Sequence, residues 1–146
     1  MKINIHTNSS IAETEINISC NHITPELERL ISLIRVMDMK ITGMKNGDTH
    51  ILDINNILYI DTVDKKSFLY TKTDIYETPL RLYELEEQLR YTEFFRANKS
   101  CIINFAQIKS LKSDLDGRIL ITMSNQEKLF VSRQYAATVK KKLGVK

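Results

Sequence analysis

Three short stretches of the chain set cations, amides and hydroxyls side by side at the ends of apolar runs. The first holds Lys65, Lys66 and Ser67 in "DTVDKKS". The second holds Arg96, Asn98, Lys99 and Ser100 in "FFRANKSCIINF", and the third holds Ser132, Arg133 and Gln134 in "VSRQY". Their shared chemistry is recognition of a polyanion, and these residue types suit double-stranded DNA. Lys and Arg neutralise phosphates or donate to guanine O6 and N7, Asn and Gln bridge adenine, and Ser hydroxyls bond phosphate oxygens. Each stretch taken singly also reads as an ordinary solvated turn. Composition does not say whether the three meet in space.

Other chemistries lack their residues. His6, His22 and His50 lie in separate segments, with no partner at the spacing of a metal site or a general base. The phosphate-cradling, metalloprotease and nucleophile-elbow motifs are all absent from the chain. Glu84, Glu86 and Glu87 fall on one helical stretch and read as its solvated face. Cys20 and Cys101 stand far apart without metal spacing and are expected to be reduced, buried thiols of a cytoplasmic protein. The expectation is therefore a protein that is not an enzyme and takes no cofactor and no metal.

The charge supports a polyanion partner. Residues 1–95 carry 10 Lys and Arg against 15 Asp and Glu, a balance of −5. Residues 96–146 carry 11 against 3, a balance of +8, and the two sum to the net charge of +3. A hydrophobic fraction of 42% suffices for a packed core, and four Gly with two Pro leave no room for a long flexible linker. No 18-residue apolar run and no secretory h-region appear, which fits a cytoplasmic location.

The elements that must position these groups are mostly strands. "KINIHT" (2–7) and "EINISC" (15–20) alternate apolar and polar residues and predict two strands paired as a hairpin. A helix follows over 25–37, with Thr24 as its cap and Leu27, Leu30, Ile31, Ile34 and Met37 on one face. Asn46-Gly47 predicts a tight hairpin, and "NILYIDTV" and "SFLYTKTDIYETP" predict further strands. Leu82, Leu85 and Leu89 mark a second helix, which begins at Arg81 without a good cap. "SCIINF", "IKSLKS", "RILITMS" and "EKLFVS" predict four strands, turned at Asp116-Gly117 and at Ser124-Asn125-Gln126. Ser132 then opens a last helix that Gly144 closes, with Ala136, Val139 and Leu143 inward. The fold class is mainly β with a few helices, a β-rich α+β arrangement. No helix-turn-helix, C₂H₂ zinc finger or basic zipper pattern is present.

From "ILYIDTVDKKSFLYT" through "LxxLEExL", "FxRxxxSxIxN" and "VSRxY", the chain resembles a LytTR DNA-binding domain over roughly residues 40–143. The resemblance implies an elongated arrangement of small antiparallel sheets with a helix, whose loops rather than a recognition helix enter the major groove. It implies contacts from positions matching Lys66, Lys99 and Arg133, with Lys65, Asn98, Ser100 and Ser132 as neighbours; Gln134 is a candidate from its residue type alone. Two positions depart from the family's habit. The first-loop contact, often His or another polar residue, is Lys66, and the residue before Ser100, often Arg or Asn, is Lys99. A lysine is a point charge and lacks the paired donors with which arginine reads guanine.

Residues 1–39 are expected to form a ββα extension and residues 40–146 the DNA-binding domain. The resemblance extends to short stand-alone members without a receiver domain, controlled by expression, a partner or self-association. The helix over 25–37 is a candidate dimer face, and equally a cap on the domain core. The expected function is a sequence-specific transcriptional regulator on promoter repeats, a homodimer at least on DNA. The alternative is a protein-interaction or sensor module controlled by a membrane-bound partner. Lys140, Lys141 and Lys142 either attract phosphates or complement the last helix's dipole.

Overall fold

The computed structural model describes residues 1–37 and 39–144. The first helix, α1, spans Pro25–Val36, capped by the Thr24 hydroxyl, which accepts from Leu27 N–H at 3.2 Å. Strands β1 (Lys40–Lys45) and β2 (Asp48–Asp53) form the Asn46-Gly47 hairpin, both turn residues having positive φ as the tight mirror-type turn requires. There follow β3 (Tyr59–Val63), β4 (Lys66–Tyr70), β5 (Ile75–Thr78) and α2 (Leu82–Gln88). Then come β6 (Phe94–Asn98), β7 (Cys101–Asn104), β8 (Ile108–Ser113), β9 (Ile119–Met123), β10 (Lys128–Val131) and α3 (Arg133–Leu143).

The strands make one seven-stranded sheet in the order β2-β1-β5-β4-β3-β7-β6 and one three-stranded sheet in the order β10-β9-β8, every pairing antiparallel. Because side chains alternate along a strand, the large sheet feeds two cores. Ile60, Leu69 and Ile102 meet Leu82 and Leu85 of α2 and Leu89 at its C-terminal cap on one face. Tyr59, Cys101 and Ile103 meet the small sheet and α3 through Ile119, Ile121, Met123, Val131, Ala136 and Val139 on the other. The inward faces expected for α2 and α3 are thus the observed ones. Gly43 sits where the packing leaves no room, since a Cβ there would lie 2.6 Å from Tyr76 Cβ.

The N-terminal extension departs from expectation. Stretches 2–7 and 15–20 form no strands, so the extension is a helix preceded by irregular chain. Ile3, Ile5, Ile16 and Ile18 are 76%, 82%, 61% and 44% exposed, so the alternating pattern meets no surface on which to bury itself. A lone two-stranded hairpin is marginal in water without a third strand or a packed face, and neither is supplied among the described residues. The α1 face is only half-buried at Leu27, Leu30, Ile31 and Ile34, and Met37, expected on that face, is exposed. Cys101 is buried as expected, whereas Cys20 lies in the open segment. Val145 and Lys146, included in the expected second unit, lie outside the described residues.

Candidate nucleic-acid interface

Strand register brings the three polar stretches to one end of the molecule. The C-terminal end of β3 lies beside the start of β7, because Asp61 pairs with Cys101. The β3–β4 turn and the β6–β7 turn are therefore neighbours, joined by Thr62 N–H donating to Ser100 C=O at 2.9 Å. The third stretch is fastened to the second by Ser132 N–H donating to Ala97 C=O at 2.9 Å. The β8–β9 turn arrives at the same end, since Val131 pairs with Ile119. A Cβ on Gly117 would lie 3.0 Å from Arg133 Cγ, so this glycine, at φ +88°, makes room for the arginine stem.

In the first turn Val63 pairs with Lys66, leaving Asp64 and Lys65 as a two-residue connection at φ 51° and 68°. Lys65 is thus the tip residue. Lys66 is already in β4, exposed, with its ammonium 3.5 Å from Glu77 Oε1. Ser67 is 1% exposed and faces the core.

In the second turn a bulge between Arg96 and Asn98 breaks the two-residue alternation of β6. Arg96 stays on the α2 side while Asn98 turns to the opposite face. Asn98 is 7% exposed: its Oδ1 accepts from Ser100 N–H and Oγ–H, and its Nδ2 donates to Phe130 C=O at 2.9 Å. Its amide is spent inside the protein. Arg96 donates from Nε to Asn98 C=O and from an Nη to Lys99 C=O, each at 2.8 Å, and pairs with Glu86 Oε1 of α2 at 3.1 Å. The guanidinium therefore clasps the turn from beneath, leaving Lys99 and Ser100 outermost and exposed. The capping deficit at α2 is met by Glu84, whose carboxylate accepts from Arg81 N–H at 3.0 Å.

At the third stretch Ser132 occupies the cap position of α3, but its hydroxyl makes no cap bond. Arg133 and Gln134 are exposed in the first turn of α3, where free N–H groups and the helix dipole favour an anion. Arg118 is nearby but committed, with Nε 2.9 Å from Asp116 Oδ2 and its guanidinium 5.4 Å above the Phe130 ring. Lys140, Lys141 and Lys142 lie about 10–15 Å along the helix from Arg133. Lys142 Nζ is 3.4 Å from both Thr92 and Phe94 carbonyls, and desolvation lowers its pKa.

One titratable pair braces the first turn. Tyr70 Oη donates to Asp61 Oδ2 at 3.1 Å, while Asp61 Oδ1 is buried and unpartnered. Burial raises the Asp61 pKa and, with the Asp61 carboxylate beside it, pushes Tyr70 to about 12. The neighbouring Cys101 thiol is likewise driven to about 12 by burial, so it is inert as a nucleophile. Among the described residues no cluster of metal-ligating side chains occurs. No described helix is long and apolar enough to cross a membrane.

Sequence reasoning placed Asn98 among the outward groups and left Arg96 open between contact and brace. It missed the contributions of Thr62 and Gly117. Residue type cannot reveal a bulge, whereas the Asp116-Gly117 turn signal did mark the segment that shelters Arg133.

The fold has known relatives. The family model described as the LytTr DNA-binding domain matches residues 47–144. The solved LytTr DNA-binding domain of a Bacillus cereus response regulator superposes with a TM-score of 0.69 at 27% identity, covering 72% of this chain and 96% of that one. Two Staphylococcus aureus proteins, from strains NCTC 8325 and RF122, are 26% and 27% identical over 147 residues, covering 99% of both chains in each case. Both are described as uncharacterised HTH-type transcriptional regulators. Here the three described α-helices and the two short 3-10 helices, Ile54–Asn56 and Phe105–Gln107, are all separated by strands, so no two consecutive elements form a helix-turn-helix.

Proposed function

The chain belongs to the LytTr DNA-binding domain family, and from that premise we propose that it is a transcriptional regulator that reads double-stranded DNA with two turns and the first turn of α3, not with a recognition helix laid along the groove. The observation that carries this reading is the convergence of three polar stretches, tied by main-chain hydrogen bonds, on one end of the β scaffold. Arg133 reads a base edge from the major groove, because its fork of donors is exposed and its stem is steered by Gly117. Lys99 and Lys65 supply charge at the outermost positions of their turns, with Ser100, Ser132 and Gln134 bonding adjacent phosphates. Lys66, held near Glu77, is a secondary contact, and Asn98 acts by shaping the turn. The protein acts without catalysis, in the cytoplasm.

A footprint of the purified protein on the region upstream of its own gene tests this. Protected half-sites about one helical turn apart are expected for two copies on one face of DNA. Arg133→Ala costs about 1–3 kcal/mol at the protected site and relaxes one base position. Equal losses on specific and random DNA would remove Arg133 from base reading.

Residues 1–39 form a self-association element in this reading, and residues 40–146 the DNA-binding unit. The isoleucines left bare in the extension and the half-buried face of α1 support it. Those same surfaces support the second reading, capture by a membrane-bound regulatory partner. A chain that is dimeric by sedimentation favours the first, and a monomer that loses DNA on meeting membranes favours the second.

A further inference from the structure

A cleft of about 580 Å³ opens beside the three turns, on the α2 side, lined by Thr62, Lys65, Arg81, Leu82, Tyr83 and Arg96. We propose that this cleft seats a backbone phosphate of the bound duplex, with Arg81 and Lys65 as its cations. The proposal rests on the DNA-binding reading above and adds Arg81, a contact that the sequence motifs do not mark, beside Lys65.

Charge accounting leaves the cleft's cations as open to an anion as Lys99 and Arg133 are, none of the four having an ion pair among the described residues. Lys66 has Glu77, Arg96 has Glu86, and Arg118 has Asp114 and Asp116. Lys65 and Arg81 make no ion pair among the described residues, and both are exposed. The nearest fixed acid on α2, Glu84, has an oxygen engaged by Arg81 N–H. Two uncompensated cations facing one concavity raise the local concentration of anions.

The walls are built to hold position. Leu82 is 6% exposed and anchors the α2 side, while Thr62 anchors the other through its bond to Ser100. Arg96, fixed by two carbonyls and Glu86, forms a rigid floor, with little charge to spare. Tyr83 is 69% exposed and offers a hydroxyl at the rim. The cleft is open and carries two cations with the Thr62 and Tyr83 hydroxyls, which matches a phosphodiester, a group that needs cations and donors on an open shoulder. A strand flanking the major groove, about 12 Å wide, would pass over this shoulder while Arg133 and Lys99 enter the groove.

Salt titration of binding by the full chain tests the assignment, using fluorescence anisotropy on a mixed-sequence duplex and on the upstream-region duplex. Arg81→Ala is expected to lower the slope of log K against log salt by about one, with similar losses on both duplexes. Arg81→Lys restores the slope, because the contact is to charge. Arg90→Ala, near the other end of α2, leaves it unchanged. An Arg81→Ala protein with the wild-type slope overturns the phosphate seat. If that protein still loses affinity when Arg133 is replaced, the DNA-binding reading stands without the seat. A wild-type chain with no salt-dependent binding to either duplex overturns both.

Discussion

The loop end and the N-terminal extension both break the ordinary rules of a protein surface, in opposite directions. At the loop end, polar groups crowd together on turns tied to one another by main-chain hydrogen bonds, and the side chains beneath them are spoken for. In the extension, isoleucines stand in water on backbone that joins no sheet. The first region is finished within one chain. The second leaves its apolar pattern uncovered. Preorganised groups lose little entropy on binding, whereas an open segment must be ordered at the moment it binds.

The sharpest way to break the contrast is to dismantle the finished end. Asn98→Ala removes bonds to Ser100 and leaves the Phe130 carbonyl without its amide partner. Stability should fall by about 2–3 kcal/mol, read as a lower urea midpoint, with loss of DNA binding. If Asn98 instead contacted DNA, binding would fall while the midpoint stayed put. Next in size, Arg96→Ala frees the Asn98 and Lys99 carbonyls and strands Glu86. A loss of about 1–2 kcal/mol in stability is expected, and preference for the upstream site over random DNA should narrow while the salt slope holds.

Asp61→Asn sharpens the same picture through pH. Because burial raises the folded-state pKa of Asp61, its contribution is favourable below the ordinary carboxylate pKa. That contribution is lost as pH rises through the folded value. The Asp61→Asn variant should therefore gain stability relative to wild type at neutral pH and match it more closely in acid, as urea melts at both pH values would record. The smallest effect belongs to the extension. Ile3→Ser with Ile5→Ser should change the stability read from urea melts by less than about 0.5 kcal/mol, yet shift the sedimentation coefficient toward monomer. A large loss of stability would mean that the extension is packed after all.

The same contrast decides what could be read in advance. Periodicity found α2 and α3 because Leu82, Leu85, Leu89, Ala136 and Val139 do face the cores, and Asn46-Gly47 turned where its φ preferences require. The expected hairpin at 2–7 and 15–20 failed because alternation records only that one face is apolar, not that anything covers it. The candidate contacts were legible as residue types, but not their directions. A one-residue bulge sends Asn98 inward and holds Arg96 beneath the turn, and a two-residue turn puts Lys65 rather than Lys66 at the tip. Such choices depend on register, which is a property of paired strands.

The main-chain ties between the turns also bear on how much sequence change this end of the molecule tolerates. Thr62 to Ser100 and Ser132 to Ala97 are bonds between peptide groups, independent of the side chains at 65, 99 and 133. Those three positions can be exchanged without moving the frame that carries them. Side-chain identity at the rim is thereby uncoupled from the spacing of the turns that carry it.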